Sequence, residues 1–141
     1  MSRQSPSPFA VREFEPEYRR AVLEVIDRYV TTVNERDGEG NRATMVCPHV
    51  RLANDAVLFI AEREGLEALS GFDRLAAGGW HRTELDWAEV IQGDANKAHV
   101  ALQYSRYDAN DQRLITFESL YVLVRQNEVW AIQARSSFAP R

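Results

Sequence analysis

The chain has 141 residues, 45% of them apolar, with 17 basic against 21 acidic side chains, a formal net charge of −4 and one cysteine. A domain of this length buries roughly 68–70% of its unfolded surface, enough for a core without disulfides or structural metal, and it leaves no room for two full domains. The acidic balance argues against nucleic-acid binding, lone Cys47 and the lack of an apolar leader point to the cytoplasm, and the longest apolar run, Ala56 to Ala61, falls far short of the roughly 20 residues of a membrane helix.

Residues 1–14 open with two Ser-Pro pairs and read as a flexible arm. Residues 15–141 read as one domain. From Pro16, apolar residues at Tyr18, Ala21, Val22, Val25, Ile26, Tyr29, Val30 and Val33 recur every three or four positions and predict a long helix, with Gly38 at its end. A short second helix is expected around Arg42 to Val46, stopped by Pro48. Val50 to Ala53 and Val57 to Ile60 flank Asn54-Asp55-Ala56 as a small hairpin. A third helix fits Glu62 to Ala77, with Leu66, Leu69, Phe72, Leu75 and Ala76 inward and Gly78-Gly79 as its stop. Four long alternating runs follow, at 80–92, 96–108, 112–126 and 129–138.

Hairpin geometry fixes which residues lie opposite each other. Turns centred on Gly93-Asp94, Ala109-Asn110 and Asn127-Glu128 pair His81 with Arg106, Thr83 with Tyr104, Tyr104 with Ile115, Tyr121 with Ala134 and Ser119 with Ser136. One face then holds Leu85, Trp87, Val100, Leu102, Tyr104, Ile115, Phe117, Tyr121, Leu123, Ile132 and Phe138, with Trp130 beside Arg125. The other carries Arg82, Glu84, Asp86, His99, Gln103, Ser105, Glu118, Gln133 and Arg135, mixed with Leu120, Val122, Val124, Val129 and Ala131. A half-polar face that keeps an apolar patch predicts a homodimer through the outer side of the sheet. A bulge in any strand would exchange the faces beyond it.

Helices followed by long strands predict an α+β cone, a curved antiparallel sheet of about six strands with three helices packed on its concave face. The order resembles the nuclear-transport-factor-2-like (NTF2-like) superfamily, in particular its SnoaL-like and ketosteroid-isomerase-like members. The resemblance spans about residues 16–139. It is carried by Val33-Asn34-Glu35-Arg36-Asp37-Gly38, Lys97-Ala98-His99-Val100-Ala101-Leu102, Tyr107-Asp108-Ala109-Asn110, and Val129-Trp130-Ala131-Ile132-Gln133-Ala134-Arg135-Ser136-Ser137-Phe138. It implies a pocket between the concave face and the helices. The expected occupant is a small, mostly apolar organic molecule, turned over without cofactor by isomerisation, cyclisation or dehydration. The alternative is a non-catalytic binding or dimerisation module of the same fold.

Inward polar positions name the candidates. His81 and Tyr104 are expected to move protons, and Arg106, Tyr121, Ser119, Trp87 and His49 to contact the ligand. Glu89 is the only acid on the inward register, so the carboxylate base that the resemblance implies has no clear counterpart. His49, His81, His99 and Cys47 show no metal-ligand spacing, and the glycine pairs match no phosphate-binding fingerprint, so no metal and no cofactor are expected.

Overall fold

A computed structural model describes residues 14–53, 55–69 and 71–139, without the side chains of Ala68 and Leu69. The expected amino-terminal arm lies outside it except for Phe14, which is no part of an arm. Its ring is buried against Trp130 (centroids 6.2 Å) and Tyr18 (6.0 Å). It also lies where a Cβ on Gly93 would come within 2.8 Å, so this ring and that glycine fit only together.

Helix α1 spans Pro16–Glu35 and α2 spans Gly38–Arg42. Proline suits the first turn of α1, where its missing N–H costs nothing, and Arg36 ends the helix in a left-handed conformation (φ 56°). Val22, Val25, Ile26 and Val30 form the buried stripe that the spacing predicts. Asp37 caps α2 by accepting from the Gly40 N–H at 2.9 Å.

The expected helix at Arg42 to Val46 is a strand from Met45 onward: β1 spans Met45–Ala53 and pairs with β2, Ala56–Ile60. The third helix is broken into a 3₁₀ segment, Arg63–Leu69, and α3, Phe72–Ala77. Two glycines, Gly65 and Gly71, weaken an α-helix here by about 1 kcal/mol each. Leu66 is buried, Phe72 and Leu75 are half-buried, Ala76 is exposed, and the Leu69 side chain lies outside the described residues.

The four long strands are β3 (Arg82–Gly93), β4 (Lys97–Tyr107), β5 (Arg113–Gln126) and β6 (Val129–Ser137). Together the six strands form one sheet in the order β2-β1-β6-β5-β4-β3. All neighbours are antiparallel except β1 and β6, which run parallel. The fold is the expected α+β cone, and α1 packs across β3 and β6.

The registers differ from expectation at the β3–β4 turn, which spans Asp94–Lys97 instead of centring on Gly93-Asp94, and at four bulges. Asp86 and Ile91 are extra residues on β3, Leu114 on β5 and Gln133 on β6. Each reverses the side-chain alternation beyond it. Trp87 therefore pairs with Gln103 and is 42% exposed instead of core. Thr83, not His81, lies opposite Arg106. Tyr104 faces Phe117 instead of Ile115, a two-residue slip that keeps its inward side. On β6, Tyr121 pairs with Arg135 and Ser119 with Ser137, so Arg135 turns inward while Phe138 is 76% exposed.

Candidate functional site

Between α1, the broken third helix and the concave sheet lies a cavity of about 390 Å³, within the range that small-molecule sites occupy. Its apolar wall comes from Val30, Met45, Leu66, Ile115 and Phe117, and its aromatic wall from Tyr29, Tyr104 and Tyr121. These three rings interlock: Tyr29 meets Tyr121 edge-on at 5.6 Å, and Tyr104 lies 6.2 Å from Tyr121 and 6.4 Å from Tyr29.

The rim is built from α1, β3 and α3. Asn34 clamps the Thr83 backbone on both sides, accepting from its N–H at 2.7 Å and donating to its C=O at 2.8 Å. Trp80 donates from its indole N–H to the Thr83 hydroxyl at 2.9 Å, stacks on Phe72, and lies beneath the Arg36 guanidinium at 4.3 Å.

Positive charge dominates the lining. Arg51 from β1, Arg74 from α3, Arg106 from β4 and Arg135 from β6 all border the cavity, and none of the described lining residues is acidic. None of the four forms an ion pair with a carboxylate among the described residues. Arg106 packs over Phe117 at 4.8 Å. Burial and the Arg135 charge both weaken protonation of Arg51. Burial also acts on Arg106, with the charges of Arg51 and Arg74 adding to it. An acidic protein thus concentrates positive potential in one concavity.

Arg135 is the most enclosed of the four, at 6% exposure. Its Nε donates to Nε2 of His49 at 3.0 Å and its Nη1 to the Tyr29 hydroxyl at 2.7 Å. Nδ1 of His49 reaches the Ile132 carbonyl at 3.2 Å, which fixes the neutral tautomer with the proton on Nδ1. Burial, with the Arg135 charge in support, pulls the His49 pKa down to about 4. The remaining Arg135 nitrogen, Nη2, and the Tyr104 hydroxyl are the two buried side-chain polar atoms without a hydrogen-bond partner among the described residues. Tyr121 is near enough to Tyr104 to affect its ionisation, but no hydrogen-bond geometry is completed there.

The three phenols are electrostatically unequal. Burial alone would raise Tyr29, but the Arg135 charge, hydrogen bonding with Tyr121 and the Arg51 charge together outweigh it and leave its pKa below the ordinary phenol value. Tyr104 and Tyr121 are both pushed up, by burial first and then by neighbouring phenols.

Of the expected site residues, Tyr104, Tyr121 and Arg106 line the cavity. His81 does not. It precedes β3, is exposed, and contributes its carbonyl to Arg36 at 2.6 Å, because the β3–β4 turn lies over Asp94–Lys97, later than expected, and the two β3 bulges recover only part of that slip, which leaves Thr83 at the position expected for it. Trp87 is displaced to the outside by the bulge at Ile91. Ser119 donates to the Ser137 hydroxyl at 2.9 Å and is not in the lining. His49, expected to contact the ligand, is fully buried behind Arg135 and is not in the lining. Glu89, the one inward acid expected, is exposed. Ser137, not Ser136, borders the cavity.

Four functional candidates were missed. Tyr29 reads as core on the helical stripe, and only the polar end of its ring hints at more. Arg51 lies between Val50 and Leu52 in a run where alternation favours the apolar residues inward; the reverse holds, and Leu52 is 41% exposed. Arg74 has no pattern signal, and Arg135 is hidden by the Gln133 bulge.

A family model described as "NTF2-like protein (DUF6841)" matches residues 17–137. No curated protein matches. Solved structures with the same fold include a protein of unknown function with a cystatin-like fold from Nostoc punctiforme, 16% identical over 92% of this chain and 96% of that one, TM-score 0.75. A second is an NTF2-like protein from Novosphingobium aromaticivorans, 18% identical over 86% and 81%, TM-score 0.73. A third is Aln2 from a Streptomyces species, 23% identical over 90% and 93%, TM-score 0.69.

Proposed function

Since this chain belongs to the NTF2-like family DUF6841, we propose that its cone is a binding cavity for a small organic anion with an aromatic or apolar body, turned over without a cofactor by isomerisation, cyclisation or dehydration. One observation carries the reading: among the described residues, four arginines border the cavity with no carboxylate in its wall and no ion-pair partner. Arg135 is buried with its Nη2 unpartnered among the described residues, Arg51 and Arg106 are half-buried and Arg74 is exposed, and partly desolvated guanidinium groups gain from an incoming carboxylate through paired N–H···O bonds. The substrate class is therefore acidic, not merely apolar as the sequence led us to expect. Arg106 and Arg51 are the proposed anion contacts, and Tyr104 and Tyr121 form the floor.

A non-catalytic binding module is the second reading. It is favoured by the lack of any carboxylate or imidazole among the described lining residues, which leaves the phenols as the candidate acid–base groups. A module filled by its own side chains is disfavoured by the cavity volume.

The homodimer through the outer sheet face is part of the proposal, supported by Leu120, Val129 and Trp87, which are 39%, 63% and 42% exposed. No helix among the described residues is long and apolar enough to cross a membrane. A cytoplasmic setting rests on the lone cysteine.

The test is a thermal-shift series with phenylpyruvate, cinnamate and benzoate beside their neutral amides and inorganic phosphate. Acids that stabilise the wild type and not the Arg106→Gln variant, with silent amides, support the anion site; equal shifts for acids and amides remove it. Saturation at a hundred times Kd corresponds to about 2.7 kcal/mol of stabilisation.

A further inference from the structure

The Tyr29 hydroxyl stands apart from the other protic groups of the cavity. It accepts from Arg135 Nη1 at 2.7 Å, and its ring is half-buried, whereas Tyr104 and Tyr121 are 2% and 4% exposed. Its backbone is held as well: the Tyr29 carbonyl accepts from the Asn41 side chain at 3.1 Å and from the Thr32 hydroxyl at 3.0 Å. Arg135 is fixed in turn by His49 at 3.0 Å, and His49 by the Ile132 carbonyl at 3.2 Å. The phenol oxygen is thus placed by a chain of three locked groups on α1, β6 and β1.

We infer that Tyr29 is the proton-transfer residue of this cavity, its hydroxyl alternating between phenol and phenolate against the Arg135 guanidinium, on a carboxylate that also carries a carbonyl beside an acidic C–H bond. The inference rests on the anion reading above. The groups around Tyr29 are Arg135, with Arg51 and His49 from β1, Tyr104 and Arg106 from β4, Tyr121 from β5 and Arg74 from α3. All of these are cationic or neutral, so the phenolate has counter-charge from Arg135 and Arg51 and, among the described lining residues, no carboxylate to repel it. The electrostatics point the same way: Tyr29 ionises more easily than an ordinary phenol, Tyr104 and Tyr121 less easily. Environments that push like groups apart mark out an acid–base assignment.

The step balances without a co-reactant. The substrate C–H bond breaks, its proton forms the Tyr29 O–H bond, and the electron pair passes into an enolate whose oxygen lies in the field of Arg51 and Arg106. The Tyr29 O–H bond then breaks, and the proton goes either to the enolate oxygen, giving the enol tautomer, or to a conjugated carbon, giving a positional isomer. Nothing is oxidised or reduced.

Two readouts on the same protein test this. Ultraviolet titration of tyrosinate is expected to show one phenol ionising below the ordinary value in the wild type. That transition should be absent in Tyr29→Phe and shifted upward in Arg135→Gln. Nuclear magnetic resonance of phenylpyruvate in deuterated water reads exchange of its methylene protons above the buffer rate. Tyr29→Phe should lose about a hundredfold or more of that enhancement while still binding phenylpyruvate within about threefold of wild type, since its guanidinium contacts remain. Circular dichroism confirms that each variant is folded, and Arg135→Lys, which keeps the charge, is the second variant if Arg135→Gln is not. A wild type with no early phenol transition, or exchange undiminished in Tyr29→Phe, overturns the assignment. Failure of phenylpyruvate and the other acids to bind a protein that still shows the early transition overturns the anion reading and this substrate class, and not the ionisation of Tyr29.

Discussion

Nε of Arg135 donates to Nε2 of His49 across 3.0 Å, so the imidazole can serve its neighbour only while it is unprotonated. Burial and the adjacent guanidinium hold its pKa near 4, below the ordinary 6.5. Between these values the unfolded chain binds a proton that the folded chain refuses. The stability due to neutral His49 is therefore complete above pH 6.5 and is lost progressively as pH falls toward 4, by about 3 kcal/mol. Urea denaturation over that window should show this acid limb. His49→Gln, whose amide oxygen can accept from Arg135 without titrating, should flatten it. An unchanged limb in the variant would assign it to carboxylates elsewhere.

Tyr104 gives the opposite kind of prediction. Its hydroxyl is buried with no partner among the described residues, so Tyr104→Phe removes a desolvated group and forfeits no hydrogen bond to them. Stability should hold or rise by about 1 kcal/mol. Tyr29→Phe deletes the acceptor of Arg135 Nη1 and should cost about 1–3 kcal/mol. Chemical denaturation of the two variants side by side separates a packed phenol from a bonded one. A Tyr104→Phe protein less stable than Tyr29→Phe would contradict this account.

The β strands and the buried face of α1 were legible because their signals are periodic: Val22, Val25, Ile26 and Val30 repeat at helical spacing, and β4 alternates from Ala98 to Tyr104. The site was legible only where a register survived. Tyr104, Tyr121 and Arg106 were placed correctly because the error in the β4–β5 pairing was two residues, which preserves parity. Arg135 was lost because the extra residue Gln133 reverses parity, and nothing in Ala131-Ile132-Gln133-Ala134 announces a bulge. The single bulge at Ile91 moved Trp87 outward in the same way, whereas His81 fell out of line because the β3–β4 turn lies later than Gly93-Asp94. Arg51 illustrates a different limit: β1 turns a charged residue inward between two apolar ones, against the alternation rule, because the inner side of this strand is the one that buries Met45, His49 and Ala53, and Arg51 reaches the cavity beside Met45.

Clustered arginines that await an anion should trade stability for binding. Burial and the Arg135 charge already oppose protonation of Arg51, so Arg51→Gln relieves repulsion in the empty protein. Its melting temperature without ligand should rise, while the shift induced by phenylpyruvate should shrink or vanish. The wild-type affinity should also fall with added salt, less steeply than for a fully exposed site, because buried charges are screened less. Isothermal titration at two ionic strengths checks the second point. A variant that binds the acid as well as the wild type would remove Arg51 from the site.

The outer sheet face makes the last prediction. Leu120 on β5 is 39% exposed and pairs across the ladder with Ala101 and Ser136, and Val124 pairs with Ala131 further along the same strand. These side chains form an apolar strip on a face that otherwise carries Asp86, Gln103 and Glu118. Two copies of such a strip can bury each other about a two-fold axis, whereas a charge placed at its centre would meet its own copy across the interface. Light scattering should give the mass of a dimer for the wild type and of a monomer for Leu120→Lys. The tyrosinate titration of the variant should be unchanged, because Leu120 points away from the cavity. A melting temperature that rises with wild-type concentration, and does not for Leu120→Lys, would tie stability to the same surface. A wild type that scatters as a monomer at every concentration would leave the strip without a role in self-association.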